Sequence, residues 1–211
     1  MRVRTWFPCT LALTLALASL AGPVRAAEMA EELALGATAP MADVKMQNVD
    51  GKDVSIDDVR GRKGTLVIFS CNACPWVKAW ETRLVALGNE WQKKGVGVIM
   101  VNSNDPQVQA EDGYAEMRKR AKARGMKFPY VVDATSDLAR AFGATRTPEA
   151  FLFDAEGQLV YHGTIDDNAR QPRQVKTRYL QEALETASAG KQVTTAETKA
   201  LGCSIKFRSK S

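Results

Sequence analysis

The amino-acid sequence predicts an α/β sandwich in which helices flank a mixed central sheet, preceded by an N-terminal β-hairpin. Three observations predict it: an alternating apolar and polar segment around Asp50-Gly51, a series of apolar strands separated by helical stretches, and a closing hairpin followed by a last helix. No internal repeat and no linker rich in Pro, Gly or Ser divides the chain. We therefore expect one domain.

The first elements follow from local patterns. Residues 44–49 and 52–56 form the hairpin around an Asp-Gly turn, and Ser55 can cap a short helix with Asp58 three residues on. The apolar run 65–70 is too short for a helix and has the pattern of a strand buried on both faces. The remaining predicted elements are a helix over 74–94, a strand over 96–102, a helix over 107–124, a strand over 130–133, a helix over 136–142, a hairpin of 149–153 and 158–163, and a helix over 172–189.

The composition is that of an ordinary globular protein. Of the 211 residues, 45% are hydrophobic and 25% charged, which excludes disordered and collagen-like chains. One His and four Cys leave few ligands for a closed zinc cage. Basic residues alternate with acidic ones and form no basic aromatic stripe, so we expect no nucleic-acid partner.

Residues 1–26 have the pattern of a cleavable signal peptide. Arg2 and Arg4 precede an apolar run over 11–20, and Val24 and Ala26 occupy the two positions that a signal peptidase reads. Cleavage would lower the formal net charge from +5 to +2, because the segment holds three Arg and no acid. We predict a periplasmic or secreted protein with a domain over 27–190 and a polar C-terminal tail over 191–211 that carries Cys203, its basic end Lys206 to Lys210 being solvated. The alternative is an uncleaved anchor, the one case in which a membrane would be a partner.

Cys71-Asn-Ala-Cys74-Pro75 lies between the buried strand and the long helix. Cys74 heads the apolar stripe of that helix, whereas we expect Cys71 at the solvent-exposed helix start, where unpaired N–H groups and the helix dipole favour a thiolate. Cys71 would then attack a disulfide, and Cys74 would resolve the mixed disulfide. The alternatives are a structural disulfide, or half of a zinc site completed by Cys203 and His162.

The strand, the Cys-x-x-Cys-Pro turn at a helix start, and Thr147-Pro148 before a later strand resemble the thioredoxin-like superfamily. The resemblance is closer to its secreted redoxin branch, which groups thiol:disulfide interchange proteins with the AhpC/TSA proteins, and it extends from about Leu35 to Gly190. Gly202-Cys203-Ser-Ile-Lys206 is also similar to the tail of such proteins. The resemblance implies a thioredoxin-like sandwich with a hairpin extension and a cis proline at Pro148, beside the cysteine turn.

The same resemblance implies a substrate groove formed by Thr147 and Pro148. Trp76 is a candidate for the rim of this groove, and core packing is the alternative. Glu149 is a candidate proton acceptor for Cys74, since a shielded thiol needs a base. Cys203 is a candidate accessory redox residue, through relay to the pair or pairing between chains, and a free accessory thiol is the alternative. His162 is expected to be structural, and Trp80 and Trp91 to belong to the core.

The sequence thus predicts a thiol:disulfide oxidoreductase that needs no cofactor or metal and exchanges electrons with protein thiols, disulfides and an upstream redox partner. One alternative is an antioxidant thiol peroxidase, although the Pro and Thr that precede a peroxidatic cysteine are missing. Another is a thiolate protein that handles copper through Cys71, Cys74 and Cys203. Ala73 stands where many relatives have His, so a strongly acidic Cys71 is not implied.

Overall fold

A seven-stranded mixed sheet forms the centre of the protein. The computed structural model describes Met1 and residues 31–209, so the predicted signal peptide lies outside the described residues apart from Met1. The strands are β1 (Met46–Asn48), β2 (Asp53–Val54), β3 (Thr65–Phe69), β4 (Gly97–Asn102), β5 (Tyr130–Val132), β6 (Arg146–Thr147), β7 (Glu149–Phe153), β8 (Leu159–Gly163) and β9 (Cys203–Ser204). The sheet order is β2-β1-β5-β4-β3-β7-β8, and β6 and β9 form a separate antiparallel pair.

Apolar side chains of β3 divide between the two faces of the sheet. Leu66 and Ile68 belong to one buried cluster, and Val67 and Phe69 belong to a second cluster on the opposite face. This alternation follows from the two-residue period of a strand. Both faces are covered, as the continuous apolar run predicts.

Four α-helices cover the sheet. They are α1 (Pro75–Lys93), α2 (Tyr114–Arg124), α3 (Asp137–Phe142) and α4 (Tyr179–Ser188). Trp80, Leu84 and Trp91 of α1 belong to the first cluster with the buried residues of α2 and α4. The buried residues of α3 belong to the second cluster together with residues near the N-terminal hairpin. The mixed sheet flanked by helices confirms the predicted fold class.

The hairpin and its following turn are confirmed. Strands β1 and β2 pair antiparallel with Met46 opposite Val54. The Ser55 N–H donates to Asp58 Oδ2 at 2.8 Å, and the Asp58 N–H donates to Ser55 Oγ at 3.2 Å. These reciprocal bonds satisfy backbone donors at the start of the short 3₁₀ turn that follows.

Two predicted helices are shorter than expected. The helix predicted over 107–124 begins at Tyr114, because a 3₁₀ turn over Ala110–Asp112 precedes it and directs the Asp112 side chain into the protein. The helix predicted over 172–189 begins at Tyr179. Here the Asp167 carboxylate accepts the N–H groups of Lys176 and Thr177, which holds that segment in a non-helical conformation.

The C-terminal segment that we predict as a polar tail is bound to the domain ahead of its exposed basic end. The Ile205 side chain is buried, and its N–H donates to the Thr145 carbonyl at 2.9 Å. Upstream, Thr198 and Ala196 exchange backbone hydrogen bonds with His162 of β8. The sequence signal was too weak here, because short irregular segments bound by backbone hydrogen bonds need no apolar periodicity.

Candidate active site

The cysteine turn connects the carboxyl end of β3 to the start of α1. Cys74 is the N-cap residue of α1, and Pro75 is the first helical residue, where its missing N–H has no intrahelical partner to lose. Cys71 therefore lies three residues before the helical cap. The unpaired N–H groups and the positive end of the helix dipole face Cys74 more directly than Cys71.

A buried carboxylate holds the turn from below. Asp112 Oδ1 accepts the N–H of Asn72 at 2.5 Å and that of Ala73 at 3.1 Å. The Asn72 side chain donates to the Glu111 carbonyl and accepts a hydrogen bond from the Tyr130 hydroxyl at 3.1 Å. The backbone donors of the turn are thus satisfied inside the protein, which fixes the positions of the two flanking cysteines.

The Thr147–Pro148 peptide is cis, as the resemblance implied, and it lies against the two sulfurs. Cys71 Sγ is 3.3 Å from Thr147 Oγ1, in hydrogen-bond contact. As a thiol, Cys74 donates to the Thr147 carbonyl oxygen across 3.1 Å. The structure therefore brings together the four residues Cys71, Cys74, Thr147 and Pro148.

Solvent access and charge differ from the expectation for Cys71. Its side chain is only 2% exposed and that of Cys74 is 3% exposed, so the predicted exposed sulfur is not observed. The hydrogen bond that Cys71 donates to Cys74, then burial and the nearby Asp112 carboxylate, raise the pKa of Cys71. The same hydrogen bond lowers the pKa of Cys74 to about 4, against opposing burial and with further help from Cys203 and the Val77 N–H. The hydrogen bonding between the two cysteines thus lowers the pKa of Cys74 and raises that of Cys71, whereas the bond from Cys74 to the Thr147 carbonyl exists only while Cys74 is a thiol.

Glu149 does not reach Cys74 as a proton acceptor. Its Oε2 accepts the N–H groups of Thr145 and Arg146, each at 2.8 Å, and its Oε1 lies 2.7 Å from His162 Nε2. The carboxylate is buried and its hydrogen bonds hold the segment that leads into Thr147. Glu149 is therefore a residue that supports the groove, and among the described residues its hydrogen bonds go to Thr145, Arg146 and His162 and not to Cys74.

The other aromatic and polar candidates also have structural partners. His162 stacks on Phe151 with ring centroids 4.3 Å apart and is buried, which confirms its structural assignment. Trp80 is fully buried and donates to Asp166 Oδ1 at 2.8 Å. Trp91 also belongs to the buried core.

Trp76 is half-buried and contacts the cluster that contains both cysteines. The Arg170 guanidinium lies 5.4 Å from the centroid of its ring. The residue therefore stands beside the cysteine cluster with the Arg170 guanidinium over its ring, a position that suits the rim of a groove.

Cys203 is the third sulfur at this place. It is half-buried, contacts the same cluster, and lies opposite Thr147 in the β6–β9 pairing. Burial, followed by its contact with Cys74, raises the pKa of Cys203 to about 11. All three described cysteines are reduced.

The sequence interpretation missed the residues below the turn. Asp112, Asn72 and Tyr130 meet there from three separate segments, and Asp112 was placed inside a predicted helix. The available signal was the run of three polar residues, Asn102-Ser-Asn104, at the end of a buried strand. Asn104 Nδ2 donates to Asp112 Oδ2 at 2.7 Å.

Metal binding and membrane anchoring are the alternative roles that the described residues address. Residues 31–209 and Met1 contain no group of three or more His, Cys, Asp or Glu arranged to hold a metal ion. In the same part of the chain, no helix combines the length and the apolar character needed to cross a membrane.

The chain is similar to known redox proteins in sequence. The model of the AhpC/TSA family matches residues 35–162. A thiol-disulfide oxidoreductase ResA of Geobacillus thermodenitrificans is 30% identical over 155 residues, which cover 71% of this chain and 82% of that protein. A second ResA, from Geobacillus kaustophilus, is 28% identical over 130 residues, or 60% of this chain and 67% of that protein.

Solved structures give the same fold. An uncharacterized conserved protein from Geobacillus kaustophilus superposes with a TM-score of 0.78 at 35% identity, covering 84% of this chain and 94% of that one. A hypothetical protein from Sinorhizobium meliloti 1021 has a TM-score of 0.78 at 32% identity, and the match covers 85% of this chain and 98% of that one. The thioredoxin domain of a Bacteroides vulgatus thiol-disulfide oxidoreductase shares the fold at a TM-score of 0.51 and 24% identity. This match covers 62% of this chain and 89% of that domain.

Proposed function

Because the chain belongs to the AhpC/TSA family and has a thioredoxin-like fold, we propose that it exchanges disulfides with protein dithiols through Cys71 and Cys74. Its activity is that of a thiol-disulfide oxidoreductase, the name carried by relatives at 28 to 30% identity. One observation supports the assignment most strongly. Two buried cysteines in one cluster lie at the start of α1, each in hydrogen-bond contact with Thr147 of the cis Thr147–Pro148 peptide.

Cys74 is the attacking sulfur in this proposal, and Cys71 is the resolving one. The Cys74 thiolate attacks one sulfur of a substrate disulfide, a mixed disulfide forms, and the substrate's other sulfur leaves with the bonding electron pair and takes up a proton. Cys71 then loses its proton and attacks Cys74 Sγ. The Cys71–Cys74 bond forms, the mixed disulfide breaks, and the substrate leaves with two thiols.

The groove at β6 is where an extended substrate segment would bind. Strand β6 ends at Thr147, directly before Pro148. Its backbone N–H and C=O groups can pair with an extended strand, which is how many domains bind extended peptides. Trp76 stands next to this edge and offers apolar contact area. Thr147 also contacts both sulfurs, so a segment bound here brings its own sulfur close to Cys74.

Trapping the mixed disulfide tests the function and the two roles. The variants are Cys71→Ser and Cys74→Ser, each also carrying Cys203→Ser because the Cys203 sulfur contacts Cys74. We expect the Cys71→Ser variant to accumulate reducible adducts with oxidised insulin through Cys74, and the Cys74→Ser variant to accumulate none. Adducts on Cys74→Ser alone would reverse the roles, and adducts on neither variant would refute the function.

A thiol peroxidase is the second candidate, because a thiolate at a helix N-terminus is also suited to attack a peroxide. Here Cys71 occupies the position three residues before the thiolate, so any sulfenic acid on Cys74 would condense at once with Cys71 to give the disulfide. The rate of Cys74 oxidation by hydrogen peroxide separates the candidates. A rate close to that of a free thiol favours disulfide exchange, and a rate several orders of magnitude higher favours the peroxidase.

Secretion and the redox partner complete the proposal. Residues 1–26 have the charge and apolar pattern of a cleavable signal, which supports an extracytoplasmic location where disulfides persist. An upstream dithiol protein would then return the pair to its starting redox state. N-terminal sequencing of the protein recovered from the secreted fraction should give Ala27 as the first residue, and a start at Met1 would contradict cleavage.

A further inference from the structure

Three cysteines lie together at the start of α1. Cys71 and Cys74 form a small buried cluster with Val77, and Cys203 packs against this cluster. Cys74 Sγ lies 3.1 Å from the Thr147 carbonyl oxygen and Cys203 is paired opposite Thr147, so Cys74 has one cysteine neighbour in its own turn and a second on β9. The proposed function uses only one of the two possible pairs.

Strand β9 occupies the groove that a substrate would use. Cys203 lies opposite Thr147 and Ser204 lies opposite Arg146 in antiparallel register. Gly202 lies flat on the Thr147–Pro148 peptide, because a Cβ atom there would stand 2.1 Å from the Thr147 oxygen and 3.2 Å from the Pro148 nitrogen. A glycine is thus required next to Cys203 for this close approach.

The segments on both sides of β9 are bound to the domain. Upstream, the Thr198 N–H donates to the His162 carbonyl at 3.0 Å. Downstream, the Lys206 carbonyl accepts the Asp105 N–H at 2.7 Å, and the Lys206 N–H donates to Asn104 Oδ1 at 2.8 Å. These bonds hold Cys203 in position on β6, so its contact with Cys74 follows from the backbone path and does not depend on one side-chain rotamer.

We propose that Cys203 is a third redox cysteine, carried by an internal substrate strand, and that it competes with Cys71 for the bond to Cys74. This inference rests on the proposed function of the Cys71–Cys74 pair. The Cys74–Cys203 disulfide fastens β9 over the groove and leaves Cys71 as a buried thiol. A protein substrate binds where β9 lies, so β9 must leave before the substrate can pair with Thr147.

The exchange needs no outside oxidant. Starting from the Cys71–Cys74 disulfide, the deprotonated Cys203 attacks Cys74 Sγ. The Cys74–Cys203 bond forms and the Cys71–Cys74 bond breaks, with its electron pair remaining on the Cys71 sulfur. Cys71 takes up the proton that Cys203 lost, so one disulfide and one thiol are present before and after the step.

Peptide mapping of an oxidised Cys71→Ser variant tests this inference. After oxidation with diamide and digestion with trypsin, we expect a disulfide between the peptide 64–78, whose single remaining cysteine is Cys74, and the peptide 200–206, which contains Cys203. The control variant, Cys71→Ser with Cys203→Ser, should lack this product. Recovery of Cys74 and Cys203 as free thiols, or only in disulfides between chains, would overturn the proposal.

A second variant tests the strand as a cover. Gly202→Ala introduces the Cβ that collides with Thr147, whereas Leu201→Ala changes a partly exposed neighbour and is the matched control. We expect alkylation of reduced Cys74 to accelerate about tenfold or more in Gly202→Ala, which corresponds to a closure weakened by about 1.4 kcal/mol, and to stay unchanged in Leu201→Ala. Equal rates in both variants would contradict a covering role.

The two proposals can fail separately. If the 64–78 to 200–206 product forms but the wild-type protein does not reduce insulin, the third cysteine stands and the disulfide-exchange function fails. If insulin is reduced but that product is absent, the function stands and the role of Cys203 fails.

Discussion

The hydrogen bond between Cys71 and Cys74 makes a quantitative prediction about the Cys74 thiolate. It is the largest cause of the lowered pKa of Cys74, which lies at about 4 in the folded protein. Cys71→Ala removes the donor, whereas Cys71→Ser retains a hydroxyl donor in nearly the same position. We expect Cys71→Ala to raise the pKa of Cys74 to at least the free-thiol value of about 8.5.

The magnitude follows from the fraction of thiolate at neutral pH. With a pKa of about 4, Cys74 is almost wholly ionised at pH 7, whereas a pKa of about 8.5 leaves about 3% as thiolate, a loss of about 30-fold. Because the thiolate is lost as the pH falls through the pKa, the wild type should keep its reactivity down to about pH 4. The Cys71→Ala variant should lose it between about pH 9 and pH 7.

Alkylation by iodoacetamide between pH 3 and pH 10, followed by fragmentation of peptide 64–78 to assign the label to Cys74 or Cys71, gives the midpoint of Cys74. All variants carry Cys203→Ser, so that one neighbour of Cys74 is varied at a time. The midpoint is the quantity to compare, since the intrinsic reactivity of a thiolate falls as its pKa falls. A wild-type midpoint near 8.5, or the same midpoint in Cys71→Ala and Cys71→Ser, would refute the assignment of the thiolate to Cys74.

Three further predictions concern residues that support the site. Glu149→Gln should lower the free energy of unfolding in urea by about 1–3 kcal/mol, because the N–H groups of Thr145 and Arg146 lose a charged acceptor. The pH midpoint of Cys74 alkylation should not change. A raised midpoint without any loss of stability would support Glu149 as the base. Asp112→Ala should cost a similar amount and speed hydrogen exchange at the Asn72 and Ala73 amides, whereas unchanged exchange would show that Asp112 does not hold the turn. Phe142→Ala should cost about 3–5 kcal/mol, since this fully buried ring makes edge contacts with three other phenylalanines, and a cost below about 1 kcal/mol would contradict that packing.

The strands and the long helix could be predicted from the sequence because each has a strong local pattern. Strand β3 is a continuous apolar run, and α1 has an apolar stripe at helical spacing that places Val77, Trp80 and Leu84 in the core. The Asp50-Gly51 turn was equally clear. In these segments local propensity and tertiary burial agree, so the pattern alone is sufficient.

The environment of the cysteines depends on contacts between distant segments, and there the sequence was insufficient. Asp112 reaches the turn from 40 residues away, and Cys203 reaches Thr147 only because the segment around it binds at several points to the domain. The exposure predicted for Cys71 was wrong for the same reason, since burial is set by what covers the turn. Spacing identified the two cysteines and the family resemblance implied the cis proline, but neither could give the relative burial of the two sulfurs.

The disulfide that a single turnover leaves behind tests the central claim most directly. Fully reduced Cys203→Ser protein is mixed with an equimolar amount of oxidised insulin, quenched with acid and mapped by mass spectrometry, with the double variant Cys71→Ser, Cys203→Ser measured in parallel. We predict that insulin loses one disulfide as the protein gains one within peptide 64–78 in Cys203→Ser, but not in the double variant. Insulin that keeps all its disulfides, or loses them equally well with the double variant, would contradict disulfide exchange through Cys71 and Cys74.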